Sequence, residues 1–82
     1  DLSTQPFRLF RFYHVNGTAK DWAYRNLDKV TAEIRWGAAD RLYHGQIKSL
    51  TEALKRAEQK EAKGYLILGC IQLDERGNRI PT

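Results

Sequence analysis

The stretch from Lys29 to Gln46 constrains the fold most, because its apolar and polar side chains alternate and are then interrupted by a glycine. The apolar side chains are Val30, Ala32, Ile34 and Trp36, and the polar ones between them are Lys29, Thr31, Glu33 and Arg35. Alternation with a period of two predicts a half-buried strand over Lys29–Arg35. The strand ends at Trp36-Gly37, a polar turn follows at residues 38–42, and the next strand opens near Tyr43.

The rest of the chain supplies the other elements of a small sheet. Ser49 and Glu52 form a capping box, and the apolar stripe behind them predicts a helix that runs to Lys63 and ends at Gly64. Further strands are predicted at Phe7–Val15, Asp21–Leu27, Tyr43–Lys48 and Tyr65–Leu73.

This order of elements predicts an α+β domain: an antiparallel sheet of about five strands with one helix packed on one face. The other face of the sheet should stay partly exposed, because no element is left to cover it. A chain of 82 residues makes one domain. We expect its ordered part at about residues 7–73 and flexible segments at 1–6 and 74–82.

The composition narrows the class of protein. Fourteen Lys and Arg against ten Asp and Glu give a net charge of +4, which suits a polyanionic partner without demanding one. A single cysteine and the lack of a long apolar run favour a cytoplasmic protein with no membrane partner. The absence of methionine indicates a piece of a longer chain.

Trp36 is the candidate centre of a binding site. Gly37 beside it allows another backbone or a ligand to approach closely, and the indole offers a flat ring for stacking. The alternative is that Trp36 continues the apolar face and is core, and the sequence leaves both interpretations open. Trp22, in the middle of a strand, is predicted to be core.

A group of cations could contact phosphates around this tryptophan, although solvated surface charge is the simpler interpretation for any one of them. The group comprises Arg35, Arg41, Lys48, Arg25 and Lys20. Tyr43 and Gln46 could contribute contacts at the mouth of the groove. The helix cations Lys55, Arg56, Lys60 and Lys63 alternate with three glutamates, and we interpret them as a mixed, solvated face.

Catalytic and metal-binding patterns are lacking. His14 and His44 have no neighbouring Cys or carboxylate at ligand spacing, and Cys70 lies in an apolar strand where a thiolate is disfavoured. No glycine-rich phosphate loop is present. We therefore expect no enzyme, no metal and no cofactor.

Several short motifs together resemble the WGR domain, over about residues 7–68. They are Phe10-x-Phe12, Gly17-Thr18-Ala19-Lys20-x-Trp22, Trp36-Gly37, Gly45-Gln46, Lys48-Ser49-Leu50 and a helix from Glu52-Ala53 to Lys63-Gly64-Tyr65. The chain looks most like the short bacterial branch of that family, not like the copies inside poly(ADP-ribose) polymerases.

The resemblance implies a nucleic-acid-binding or interdomain module. In the polymerases the WGR domain sits at a DNA break, touches the backbone near the 5′ end and packs its motif Trp on the terminal nucleotide. The motif Arg, which relays contact to neighbouring domains, is Ala38 here, and the second motif Gly is Asp40. The interdomain role therefore does not carry over, unless Arg41 supplies the missing guanidinium.

The sequence thus favours a non-enzymatic nucleic-acid-binding module that holds DNA ends or backbone, DNA before RNA, without reading sequence. The alternative is a protein–protein adaptor, possibly a regulatory part of a larger protein. In that case the exposed sheet face or the edge strand Tyr43–Lys48 would dock the partner.

Overall fold

The computed structural model describes residues 5–81, which fold into one antiparallel sheet and one helix. The elements in chain order are β1 (Phe7–Tyr13), β2 (Ala19–Asn26), β3 (Thr31–Ala38), β4 (Arg41–Ser49), α1 (Leu50–Ala62), β5 (Leu66–Leu73) and β6 (Arg79–Ile80). The predicted α+β class is confirmed, with six strands in place of about five.

Neighbouring strands of the sheet pair in the order β4-β3-β2-β1-β5-β6, and each pair is antiparallel. The third and fourth strands are longer than predicted, and β4 is nine residues long. The turn between them is only Ala39-Asp40, because Asp40 adopts a positive φ of 64° that lets the chain reverse tightly. Of the turn predicted at residues 38–42, Ala38, Arg41 and Leu42 therefore belong to the strands.

The helix lies against one face of the sheet. The Ser49 hydroxyl accepts a hydrogen bond from the Glu52 backbone N–H at 3.1 Å, as the predicted cap requires. Ala53 and Ala57 are buried, and their short side chains let α1 pack close to the sheet. The resulting core holds Phe10, Trp22, Ala32, Ile34, Ala53, Ala57 and Tyr65. No helix within residues 5–81 is long and apolar enough to cross a membrane.

The opposite face carries a second core, so the expectation that it stays partly exposed is wrong. This core holds Phe7, Leu9, Ala23, Leu42 and Ile71. The sheet curls until the start of β4 meets the turn before β6. There the Leu42 N–H donates to the Gly77 carbonyl at 2.8 Å, and the Arg79 N–H donates to the Asp40 carbonyl at 3.2 Å. The curl covers a face that no further element could cover.

The turn at residues 74–78 makes this closure possible. The Asp74 carboxylate accepts hydrogen bonds from the backbone N–H groups of Arg76, Gly77 and Asn78 at 2.9–3.0 Å. Gly77 has a positive φ of 101°, and a Cβ there would collide with the Leu42 carbonyl. Residues 74–80, which the sequence analysis placed outside the ordered part, thus form the seam of the curled sheet. Of the predicted N-terminal segment, residues 1–4 lie outside the described residues.

Candidate nucleic-acid interface

Trp36 lies at the open margin of the helix-side core. Ile34, two residues earlier on the same face, is fully buried, whereas Trp36 is 36% exposed. Its ring stacks on His44, the residue opposite it on β4, with centroids 5.8 Å apart and planes at 21°. The two rings form a pair of aromatic faces at the edge of the sheet, and the indole is not sealed beneath the helix.

A groove of about 770 Å³ runs between this aromatic pair and α1. Its walls come from β2, β3, β4 and the second half of the helix. The lining residues are Lys20, Asp21, Trp22, Trp36, Gly37, His44, Gln46, Arg56, Gln59, Lys60, Lys63 and Tyr65.

Cations converge on one wall of the groove. The Lys60 ammonium lies 5.0 Å from the Tyr65 ring centroid, and the Lys20 ammonium lies 5.9 Å from the same centroid. Burial lowers the pKa of Lys60, and the positive charges of Lys63, Lys20 and Arg56 lower it further. Lys63, Lys20 and Arg56 therefore lie close enough to Lys60 to disfavour its charge.

Little negative charge offsets the cluster. Within residues 5–81, Lys20, Lys60 and Lys63 form no ion pair, whereas Arg56 lies 3.4 Å from the half-buried Glu52. Three lysines without carboxylate partners are an attractive site for an anion.

Asp21 adds little negative charge to the groove, because its carboxylate is fully buried and already accepts hydrogen bonds. The Arg11 guanidinium donates to both of its oxygens, at 2.7 and 3.0 Å. The Asp40 backbone N–H donates to the same carboxylate at 2.9 Å. The hydrogen bonds to Asp21 also raise the pKa of Arg11 above its ordinary value. Asp21 therefore anchors the curled sheet and leaves the cluster positive.

The structure separates Arg35 and Arg25 from the predicted site. Both lie on the face opposite Trp36, because adjacent residues of a strand point to opposite faces. Arg35 donates to the carbonyls of Leu42 and Arg76 at 3.0 and 2.7 Å. Arg25 pairs with Glu33 at 2.7 Å, and its guanidinium covers the Phe7 ring at 4.8 Å. Arg35, predicted to flank Trp36, and Arg25, predicted to hold a phosphate beside it, therefore both lie on the second face of the sheet, away from the indole.

Three other predicted residues lie outside the groove lining. Arg41 is exposed beside the seam, where it pairs with Asn78, and Lys48 is half-buried opposite Ala32. The Tyr43 hydroxyl donates to the Asn78 side chain at 2.7 Å. Arg41 and Tyr43 thus lie beside the seam at the start of β4, whereas Lys48 lies at the other end of that strand.

Lys20, Gln46 and Gly37 do line the groove with Trp36, as predicted. The backbone geometry also requires a glycine at position 37. The β3–β4 register shifts between Trp36 and Ala38, and a Cβ at Gly37 would collide with the Arg41 carbonyl.

The sequence analysis missed His44 and the helix wall of the groove. Arg56, Lys60 and Lys63 follow the spacing i, i+4, i+7, which places them on one helix face. That spacing was the available signal. Three of the four cations that the sequence analysis placed on a mixed, solvated face, Arg56, Lys60 and Lys63, line the groove. The position of His44 opposite Trp36 follows only from the β3–β4 register, which the sequence does not give.

Residues 5–81 contain no group of three or more His, Cys, Asp or Glu side chains placed to hold a metal ion. Comparison of the chain with protein-family models, with curated proteins and with solved structures found no match. The resemblance to WGR domains therefore stays a prediction.

Proposed function

We propose that this domain is a non-enzymatic module that binds nucleic acid in the groove between α1 and β2–β4. The observation that carries the proposal is the convergence of Lys20, Lys60 and Lys63 beside the Trp36–His44 pair. Phosphates would lie against the ammonium groups, and a base would stack on the indole. Stacking on an aromatic side chain and pairing with cations are the two contacts by which proteins hold single strands without reading sequence.

The size of the groove favours an unpaired end or a short single strand as the ligand. At about 770 Å³ the groove falls in the range of small-ligand sites, which is room for a nucleotide or two and not for a duplex. The lysine ammonium is a flexible point charge, and it contacts phosphate without selecting a base. We therefore expect binding to DNA ends or frayed strands, with DNA preferred to RNA as the sequence analysis proposed.

A binding titration tests this function. A short 3′-labelled single-stranded DNA is titrated with protein at about 50 mM salt and followed by fluorescence anisotropy. Trp36→Ala should weaken binding on the order of tenfold, because one stacked base is worth about 1–3 kcal/mol. The double variant Lys60→Gln/Lys63→Gln should flatten the slope of log affinity against log salt by about 1.4 units, which is about 0.7 for each lost phosphate contact.

The matched control is Lys55→Gln, which removes the same charge from an exposed helix position outside the groove. It should change affinity far less than the groove variants. Equal losses from Lys55→Gln and Lys60→Gln would mean that only net charge matters, and the groove would be rejected as the site. The same titration with RNA of matching sequence tests the preference for DNA.

Two observations bear on the alternative function, a protein–protein adaptor. The edge strand proposed for it, Tyr43–Lys48, exposes Tyr43 and Ile47 together with His44 and Gln46, and it provides part of the groove. The most apolar edge of the sheet belongs instead to β5.

A further inference from the structure

A second depression lies beside the groove, at the turn between β1 and β2. It has a volume of about 530 Å³, and its lining residues are Phe12, Tyr13, His14, Val15, Asn16 and Thr18. Phe12 and His14 are half-buried, whereas Tyr13 is 54% exposed. Three neighbouring rings at an open turn offer flat apolar surface to a planar ligand.

The backbone and the rings of this turn are held in place. The His14 backbone N–H donates to the Thr18 carbonyl at 2.8 Å. The Asn16 side-chain oxygen accepts hydrogen bonds from the Thr18 N–H and hydroxyl at 3.1 and 2.7 Å. The Phe12 and His14 rings meet edge to face, with centroids 5.3 Å apart. A ligand that stacks here would meet rings that are already ordered, which lowers the entropic cost of binding.

Lys20 joins the depression to the groove. Its side chain lines the groove, and its ammonium lies 5.5 Å from the Phe12 ring centroid and 5.9 Å from that of Tyr65. The Phe12 and Tyr65 ring centroids are themselves 5.3 Å apart. Phe12 lines the depression and Tyr65 lines the groove, so the two surfaces are continuous past this lysine.

The register of the sheet gives the distance from Trp36 to the depression. Phe12 pairs with Lys20 across β1 and β2. Trp36 pairs with Trp22, which lies two residues from Lys20 on the same face of β2. Two strand spacings and two residues of rise therefore separate Trp36 from Phe12, or about 12 Å between their Cα atoms. Stacked nucleotides advance about 3.4 Å each along a strand, so three or four of them cover this distance.

We propose that a single strand held in the groove continues past Lys20 and stacks a further base on the His14 ring at the β1–β2 turn. The subsite rests on the function proposed for the groove, and its ligand is the same nucleic-acid strand. Charge favours this path, because residues 12–20 contain one lysine and no carboxylate side chain. An aromatic ring stacks on any base, so the subsite would add affinity without selecting a sequence.

Thymidine oligomers of two and eight nucleotides test the subsite, because only the octamer can occupy the groove and reach His14. Dissociation constants come from titrations of ¹⁵N-labelled protein at about 50 mM salt. His14→Ala should weaken octamer binding on the order of tenfold, the loss expected for one stacked base. It should leave the dinucleotide affinity near that of the wild type. His14→Phe keeps a ring without a titratable group and should keep the octamer affinity.

The matched control is Val30→Ala, at an exposed position in the turn at the opposite end of β2. It should bind both oligomers like the wild type, and circular dichroism checks that each variant is folded. Equal octamer affinity for wild type and His14→Ala, with the dinucleotide still bound, would overturn the subsite and leave the groove standing. A loss that His14→Phe shares would overturn stacking on His14. If neither oligomer binds to the wild type, the groove is rejected and the subsite with it.

Discussion

The role of Arg35 depends on the face of the strand on which its side chain lies. It is adjacent to Trp36 in sequence, yet its guanidinium crosses the inner face of the curled sheet and reaches the carbonyls of Leu42 and Arg76. Gly45, opposite it on β4, leaves room for this path, since a Cβ there would lie 2.9 Å from the Arg35 side chain. A guanidinium with two carbonyl acceptors closes the fold and is poorly placed to bind a ligand.

Lys60 bears a charge that the proposed site would use and that its surroundings in the folded protein disfavour. Its pKa is lowered from 10.5, first by burial and then by Lys63, Lys20 and Arg56. Below the lowered pKa the folded state therefore bears a cost for this charge that the unfolded chain does not. As the pH rises through the window just below 10.5, Lys60 deprotonates first in the folded state, and the cost is relieved.

We predict that Lys60→Gln keeps or raises the thermal stability at neutral pH and low salt, while it weakens nucleic-acid binding. Removing this charge removes its repulsion with Lys63, Lys20 and Arg56, and it also lowers the positive potential that would attract phosphate. The comparison is with Lys55→Gln, which lies outside the cluster. Differential scanning calorimetry measures the stability. A clear loss of stability in Lys60→Gln, with binding unchanged, would assign Lys60 to the fold instead.

Among the elements, the turn at residues 74–78 depends most on one ionised group. The backbone N–H groups of the turn, with that of Asn78 first, lower the pKa of Asp74 below 3.8. A carboxylate with a depressed pKa contributes stability above its unfolded value and loses that contribution as the pH falls through the folded value. Acid should therefore loosen the seam between this turn and β4.

We predict that the wild type loses stability on acidification below pH 3.8 and that Asp74→Ala, already weaker at pH 7, loses less over the same interval. Glu75→Ala, an exposed neighbour in the same turn, is the matched control and should behave like the wild type. Urea denaturation at neutral and acidic pH measures both. If Asp74→Ala is as stable as Glu75→Ala at pH 7, the turn does not hold the seam.

The elements were predictable where local rules decide them. Alternation located the strands, and Ser49, Glu52 and Gly64 located the ends of the helix. The lengths of β3 and β4 were missed, because the polar residues around Asp40 resemble a loop until the positive φ of that residue is known.

For the whole molecule, the sequence predicted the fold class but not the closure of the sheet. Leu9 and Ile71 indicate a second apolar face of the sheet. Only long-range contacts show that the curl of the sheet and the turn at residues 74–78 cover that face. The candidate site was half predictable for a related reason. Trp36 and Lys20 were identified from the sequence. Lys60 and Lys63, which face the groove, were not, because the positive and negative charges were summed over the whole helix.

The curled sheet separates two regions of the surface. The groove combines the positive cluster with the aromatic pair, whereas the edge of β5 is apolar.

The most direct test of the groove is an NMR titration of ¹⁵N-labelled protein with a short unlabelled single-stranded DNA. The account predicts that the largest shifts fall on the Trp36 indole N–H and on the amides of His44, Lys60 and Lys63, while Arg35 and Lys55 move little. Shifts concentrated away from the groove would contradict it. So would the absence of shifts up to about 1 mM DNA at about 50 mM salt, since ordinary non-specific binding is tighter than that.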